Sequence, residues 1–124
     1  MPRNLTSQNA PAGVSSTIFL DCTALKKVTF YDGFTKTPSN YFTNIASNTV
    51  IDLPATMTAM DSKTIRTDRN GTAIYVMRGD VGAFDALKQT SKVSRIYVKD
   101  EYFENYQTYL AGNGNLSKLY RLSE

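Results

Sequence analysis

The chain has 124 residues, of which 41% are hydrophobic and 20% are charged, and its formal net charge is +3. This length and apolar content fit one folded domain and exclude a disordered chain or two ordinary domains. The charged residues form no basic run and no segment approaches the roughly 20 apolar residues of a membrane span, so neither nucleic acid nor a membrane is expected as a partner.

Residues 1–17 are predicted to form an extended N-terminal arm. They are rich in Ser, Thr, Asn and Pro, and their large apolar side chains after Met1 are Leu5 and Val14. Such a composition does not favour a packed helix or strand. Two interpretations stay open: a terminus without fixed structure, or an assembly arm that orders on a neighbouring subunit and buries Leu5 and Val14 there.

From residue 18 onward the apolar residues recur with a period of about 22–23 residues, which is typical of stacked repeats. One period places Phe19 on Phe42, Val28 on Ile51, Phe30 on Leu53, Phe34 on Met57 and Thr37 on Met60. The segment Ile51–Leu53 recurs as Ile74–Val76, again as Ile96–Val98, and more weakly as Leu119–Arg121. Residues 18–124 are therefore predicted to form one repeat domain.

Each repeat is predicted to contain one short strand that pairs in parallel with the strand of the next repeat. These strands are Val28–Phe30, Ile51–Leu53, Ile74–Val76 and Ile96–Val98. Alternate residues of a strand face opposite sides of its sheet. The first and third residue of each strand are therefore predicted to point into the core, and the middle residue is predicted to point outward.

The segments that follow the strands differ between the two halves of the chain. Thr and Ser separate the apolar residues of the first repeats, which indicates an irregular backbone. In the later repeats an aspartate precedes apolar residues at helical spacing: Asp80 before Val81, Phe84 and Leu87, and Asp100 before Phe103, Tyr106 and Leu110. This pattern predicts two helices with aspartate N-caps. The predicted fold class is an α/β repeat, a short leucine-rich-repeat-like solenoid with parallel strands.

The repeats resemble a known family. The segment Cys22-Thr-Ala-Leu25-Lys-Lys-Val28-Thr-Phe30, followed by Ile51-Asp-Leu-Pro54, is similar to the unit F-x-x-C-x-x-L-x-x-V-x-[FIL]-P of the BspA-like leucine-rich repeats. Two later segments resemble the C-terminal units of that family, in which a helix with an aromatic residue follows the strand: Ile74-Tyr-Val76 with Phe84, and Ile96-Tyr-Val98 with Tyr106. The second unit departs from the pattern, since Ile45 and Asn48 stand at the Cys22 and Leu25 positions.

The resemblance implies a curved solenoid used for binding, with no active site common to the family. Related repeats occur in bacterial surface proteins and in proteins of bacteriophages. We therefore expect a non-enzymatic protein-interaction module, either a small bacteriophage virion component (a capsid decoration, head-fibre or tail protein) or a bacterial surface adhesion or ligand-binding module. The expected location is the virion, after assembly in the host cytoplasm, or alternatively the cell surface or the secreted fraction. The N-terminus carries no secretory signal pattern, which favours the virion.

Catalysis, metals and cofactors are not expected from the residue inventory. The chain has no His and a single Cys, Cys22, so it lacks the commonest general base and the clustered ligands that zinc requires. The resemblance to BspA-like repeats implies that Cys22 is a buried structural residue, because it lies where that family buries a small apolar group. The aspartates are scattered over different segments and form no evident acid–base pair.

The candidate binding surface is the exposed face of the predicted strands. Its central column consists of Thr29, Asp52, Tyr75, Tyr97 and Tyr120, and the column is flanked by Lys27, Arg95 and Lys118. Tyrosine combines broad apolar contact with one polar group, which suits an interface; the alternative is that these tyrosines only stack on neighbouring strands. The expected partners are proteins, as a homo-oligomer or other virion proteins, or else a surface glycan or receptor.

Overall fold

The computed structural model describes residues 7–9, 19–20, 23–30, 32–37, 42–66 and 70–122. Within them the strands are β1 (Ser7–Asn9), β2 (Phe19–Leu20), β3 (Lys27–Thr29), β4 (Lys36–Thr37), β5 (Phe42–Thr43), β6 (Thr49–Leu53), β7 (Ala59–Met60), β8 (Ala73–Met77), β9 (Ala83–Phe84), β10 (Val93–Val98) and β11 (Leu119–Arg121). The α-helix is α1 (Phe103–Tyr109), and the 3₁₀ helices are Asp85–Lys88, Asp100–Tyr102 and Gly114–Lys118.

The main sheet contains six strands in the order β1-β3-β6-β8-β10-β11, and every neighbouring pair is parallel. Two smaller parallel sheets have the orders β2-β5 and β4-β7-β9. Parallel neighbours cannot be joined by a hairpin and need a longer crossover. The crossovers between successive main-sheet strands from β1 to β10 contain the strands of the small sheets, and the crossover from β10 to β11 contains α1. The predicted parallel pairing and α/β character are confirmed.

The inner face of the main sheet carries most of the core. Its two rows are Val28, Ile51, Tyr75, Ile96 and Leu119, and Phe30, Leu53, Met77 and Val98, and all of these side chains are buried. The small sheets add Phe42, Met60 and Phe84 from the other side of the core. Each large apolar side chain buried in this way stabilises the fold by about 1.5–3 kcal/mol. The predicted inward positions at Val28, Phe30, Ile51, Leu53, Ile96 and Val98 are confirmed.

The predicted orientation of the third strand is wrong by one residue. Tyr75 is 1% exposed and pairs in register with Ile51 on one side and Ile96 on the other. Ile74, predicted to point inward, is half-buried on the outer face, and Val76 lies beside it on that face. A bulge between Val93 and Arg95 accompanies this register. The predicted and the observed alignment both place Ile51 and Ile96 on the inner face. The flanking strands therefore do not reveal whether Ile74 or Tyr75 lies between them.

The segments behind the later strands are less helical than predicted. Residues 83–84 form β9, and only the short 3₁₀ helix Asp85–Lys88 follows. Asp80 caps no helix: its carboxylate accepts from Val81 N at 2.7 Å and from Asn105 Nδ2 at 3.0 Å. The predicted helix after Asp100 is present as Asp100–Tyr102 and α1, but without a side-chain N-cap bond.

Part of the predicted N-terminal arm belongs to the main sheet. Ser7–Asn9 forms β1 and pairs in parallel with β3 of the same chain. These three residues are polar and show no apolar alternation from which a strand could be predicted. Segment 7–9 was predicted to belong to the extended arm and, if ordered, to lie on another chain; these three residues instead pair with β3 of the same chain.

Polar side chains connect successive segments at the edges of the sheets. Thr72 Oγ1 accepts from Asn48 N at 2.8 Å and shares a hydrogen bond of 3.0 Å with Ser94 Oγ. Behind the core, the hydroxyls of Thr37 and Thr64 share a bond of 2.8 Å. These residues are separated by 22–27 positions in sequence, so the polar positions follow a spacing close to that of the apolar ones.

Burial of two tyrosines predicts a loss of stability at alkaline pH. Burial raises the pKa of Tyr75 and of Tyr106 well above the ordinary value, and the nearby Asp80 charge raises that of Tyr106 further. Tyrosines of the unfolded chain ionise from about pH 10, so the unfolded state binds fewer protons than the folded state above that pH. The contribution of these two tyrosines to the free energy of unfolding should be constant below about pH 10 and should fall above it, by up to about 1.4 kcal/mol per pH unit for each residue.

Urea unfolding between about pH 8 and pH 11.5 measures this effect. Tyr106→Phe loses the hydroxyl bond to Gly79 O of 3.0 Å and should be weaker at the lower pH, but its alkaline slope should be flatter than that of the parent chain. Tyr120→Phe, which removes a hydroxyl group at an exposed position, serves as the matched control. An unchanged slope for Tyr106→Phe would contradict the assignment.

Candidate functional site on the outer face of the main sheet

The outer face of the main sheet is organised in two rows of side chains that cross the strands. The central row is Thr29, Asp52, Val76, Tyr97 and Tyr120, and the row beside it is Lys27, Val50, Ile74 and Arg95. We call the surface formed by these rows, with Arg78 and Lys99 at the ends of β8 and β10, the outer face. The structure brings together four of the five predicted column residues, and Val76 takes the position predicted for Tyr75.

Two tyrosines and an arginine form a compact cluster at one side of the outer face. The rings of Tyr97 and Tyr120 have centroids 5.6 Å apart at an interplanar angle of 33°. Arg95 Nη1 donates to the Tyr97 hydroxyl at 3.0 Å, and its guanidinium lies 5.6 Å from the centroid of the Tyr120 ring. The hydrogen bond to Tyr97 raises the pKa of Arg95 above its ordinary value. Tyr120 is 44% exposed, so the cluster offers an aromatic and cationic contact surface.

Asp52 and Arg78 form an ion pair near the centre of the outer face. Arg78 Nε donates to Asp52 Oδ1 at 2.7 Å and Arg78 Nη2 donates to Asp52 Oδ2 at 3.1 Å. Asp52 is 7% exposed, so its charge requires such a partner. Hydrogen bonding to Asp52 also raises the pKa of Arg78 above its ordinary value. Asp52 therefore fixes the position of the Arg78 guanidinium, a role that the sequence did not indicate.

Removing Arg78 should destabilise the chain by about 2 kcal/mol, because Arg78→Ala leaves the buried Asp52 carboxylate without its two-point partner. The partial exposure of Arg78 keeps the cost below that of a fully buried pair. Urea unfolding at neutral pH measures the change. Arg121→Ala, which removes an exposed pair with Asp100, is the matched control and should cost less than about 1 kcal/mol.

A second substitution tests the cause of that loss. Asp52→Asn in the Arg78→Ala background replaces the unpaired carboxylate with a neutral amide, so it should recover part of the lost stability. A double variant less stable than Arg78→Ala alone would contradict the assigned pair.

A cleft of about 350 Å³ lies at the carboxyl ends of β3 and β6 and extends to β8. Its walls include Thr29, Asp32, Asp52, Arg78 and Lys99. Parallel strands present their carboxyl ends at the same edge, which explains why these polar residues from distant sequence positions meet here. The cleft joins the outer face and widens the surface available to a partner.

Arg78 and Lys99 are functional candidates that sequence analysis missed. Lys99 could have been found from its position two residues after Tyr97, since alternation continues beyond the strand. Arg78 could not be found in the same way, because the predicted third strand was misaligned by one residue. Lys118, predicted to flank the tyrosines, instead donates through Nζ to Val93 O at 2.8 Å and to Thr90 O at 3.0 Å.

Several predicted features fall outside the part of the chain that the structure describes. Leu5 and Val14 of the assembly arm, and Cys22, are among them. Within the described ranges, no group of three or more acidic, cysteine or histidine residues could hold a metal ion. No helix of those ranges is long and apolar enough to cross a membrane.

Comparisons of the chain with protein-family models, with curated proteins and with solved structures give no match.

Proposed function

We propose that the chain is a short leucine-rich-repeat-like solenoid that acts as a protein-interaction module through its outer face. The proposed solenoid is supported by parallel pairing of successive strands at nearly constant sequence separation and by polar bonds at similar separations. In such an architecture each unit contacts only its neighbours and the units jointly present one extended surface.

The observation that carries this function is the exposed cluster of Tyr97, Tyr120 and Arg95. Tyrosine and arginine are enriched in binding hot spots, and tyrosine combines broad apolar contact with one polar group. Tyr120 is one of two large hydrophobic residues that stand exposed in the described ranges, and the other is Leu116. An exposed surface of aromatic and cationic side chains is suited to binding a partner protein.

Site-specific cross-linking tests the proposed surface. A photoreactive amino acid at position 120 should give adducts with a partner protein in the native host, whereas the same group at Lys36, exposed on β4 outside the main sheet, should give none. Tyr97→Ser in the position 120 background should reduce the adduct yield. Equal adducts from positions 36 and 120, or none from either, would count against the outer face.

The biological setting we propose is a bacteriophage particle, in which the chain is a capsid decoration, head-fibre or tail component. The support for this setting is the resemblance to BspA-like repeats. Mass spectrometry of purified particles should identify the chain at a fixed copy number relative to the major capsid protein. Recovery from the bacterial envelope, with none in particles, would instead favour the surface adhesion module. The homo-oligomer stays a prediction, which analytical ultracentrifugation tests.

A further inference from the structure

Three consecutive outward positions along β10 carry a cation, an aromatic ring and a second cation. Arg95, Tyr97 and Lys99 alternate with Ile96 and Val98, both of which are fully buried. Lys99 follows the strand with φ −60° and ψ 144°, an extended conformation that continues the alternation. Since each strand residue rises about 3.3 Å, the Cα atoms of Arg95 and Lys99 lie roughly 13 Å apart, with Tyr97 between them.

The neighbouring strands extend this positive charge across the outer face. Lys27 lies in the same row as Arg95, and Arg78 lies beside Lys99 at the end of the adjacent strand. The carboxylate in the central row is Asp52, which is buried and bound by Arg78. The charges of Asp52 and Arg78 therefore cancel within the chain. The surplus of positive charge on the outer face comes from Lys27, Arg95 and Lys99, against the carboxylate of Asp32 in the adjoining cleft.

An apolar patch lies between the cations. Val50 and Ile74 are half-buried on the outer face, and the paired rings of Tyr97 and Tyr120 continue the patch toward the edge of the sheet. Aliphatic side chains on a partner would cover Val50 and Ile74 as well as the rings, whereas the C–H faces of the sugar rings in an acidic polysaccharide would pack mainly on the tyrosines. The combination of apolar contact and cations at a strand's spacing fits an extended polypeptide.

We propose that the outer face binds an acidic, extended segment of a partner protein. Carboxylates of that segment lie against Arg95 and Lys99, and its apolar side chains lie on Tyr97, Tyr120 and Ile74. This inference rests on the proposed protein-interaction function and adds the chemical class of the partner.

A matched set of labelled peptides tests the charge preference. The acidic probe is a short fluorescein-labelled peptide in which Glu alternates with Leu and Ser; its controls carry Gln or Lys in place of every Glu. Fluorescence anisotropy should show the Glu probe binding about tenfold more tightly than the Gln probe at low salt and the Lys probe binding more weakly still. The difference between Glu and Gln should shrink as added salt screens the charges.

Charge-removing variants place the binding on the outer face. The double variant Arg95→Gln/Lys99→Gln should weaken the Glu probe about three- to tenfold, as expected for two exposed ion pairs, and should weaken the Gln probe clearly less, because that probe has no carboxylates to pair with the lost cations. The matched control Lys36→Gln/Lys63→Gln removes two lysine charges outside the main sheet and should change neither affinity.

The other outcomes overturn the inference in distinguishable ways. Equal binding of the Glu and Gln probes, lost in Tyr120→Ser, would show that the face binds apolar segments without regard to charge, and the protein-interaction function would stand. Displacement of the probe by polygalacturonate at lower charge concentration than by polyglutamate would assign an acidic polysaccharide instead. If no probe binds, the acidic partner is excluded, and cross-linking at position 120 decides the proposed function separately.

Discussion

Replacing Tyr75 with alanine should destabilise the chain by about 3–5 kcal/mol, the largest effect expected from a single side chain. Tyr75 is 1% exposed and lies in the same inner row as Ile51 and Ile96. Its removal loses the transfer free energy of an aromatic ring and leaves a cavity that the strands cannot close. For a chain of this size such a loss lowers Tm by roughly 12–20 °C, which thermal unfolding followed by circular dichroism measures.

Ile74→Ala and Tyr120→Ala are the controls for this prediction. Ile74 lies half-buried on the outer face and Tyr120 is 44% exposed, so each should cost about 1 kcal/mol or less. The repeat in the sequence would place Ile74 in the core and Tyr75 outside, and it predicts the opposite order. A larger loss for Ile74→Ala than for Tyr75→Ala would therefore overturn the alignment of β8.

Gly82→Ala should destabilise the chain by about 3 kcal/mol, although it adds only one methyl group. A Cβ built on Gly82 stands 2.2 Å from the carbonyl oxygen of Thr58 and 2.9 Å from its carbonyl carbon. Those atoms are backbone and cannot rotate away, and Ala83 N donates to the same oxygen at 2.8 Å. The methyl group must therefore force β9 away from β7, which costs at the upper end of the range for overpacked positions.

Two measurements check this prediction. Urea unfolding gives the change in free energy, and hydrogen exchange of the Ala83 amide should lose protection if β9 separates from β7. Gly114→Ala is the matched control: its Cβ would meet Thr90 Cγ2 at 3.4 Å, an ordinary contact. That variant should be neutral or more stable by up to about 1 kcal/mol, because alanine restricts the unfolded chain. Similar losses in both glycine variants would refute the contact argument.

The parallel pairing could be predicted from sequence because its signal is redundant. Val28 and Ile51, and Phe19 and Phe42, recur at one separation and pair in the structure at that separation. A constant separation leaves parallel pairing as the simplest arrangement, since a hairpin would reverse the order of equivalent residues.

The orientation of β8 could not be predicted, because Ile74, Tyr75 and Val76 are all apolar and either face could be buried. The flanking residues Ala73 and Met77 favour the observed register, and both are buried. A bulge in β10 then absorbs the difference in spacing. Apolar runs of this kind carry no alternation from which to choose a face.

The missing helix after Asp80 has a comparable physical explanation. Its helical spacing of apolar residues competes with the close approach of Gly79 to Ala55 and of Gly82 to Thr58. Both glycines lie where the chain passes another backbone, and glycine at such a contact is a signal for close packing. Four of the five predicted column residues lie together on the outer face, whereas the positions of Tyr75, Arg78, Lys99 and Lys118 were not predicted, because they depend on register and on chain direction beyond the strands.

The strand order of the main sheet also sets the distance between its two edge strands. β1 and β11 are its two outermost strands, and five spacings of about 4.8 Å separate them by roughly 24 Å. A donor and an acceptor dye placed on Ser7 and Tyr120 should therefore report a constant distance while the sheet is paired, and that distance should change when the strands separate. The distance between labels on the two edge strands therefore reports whether the main sheet is intact.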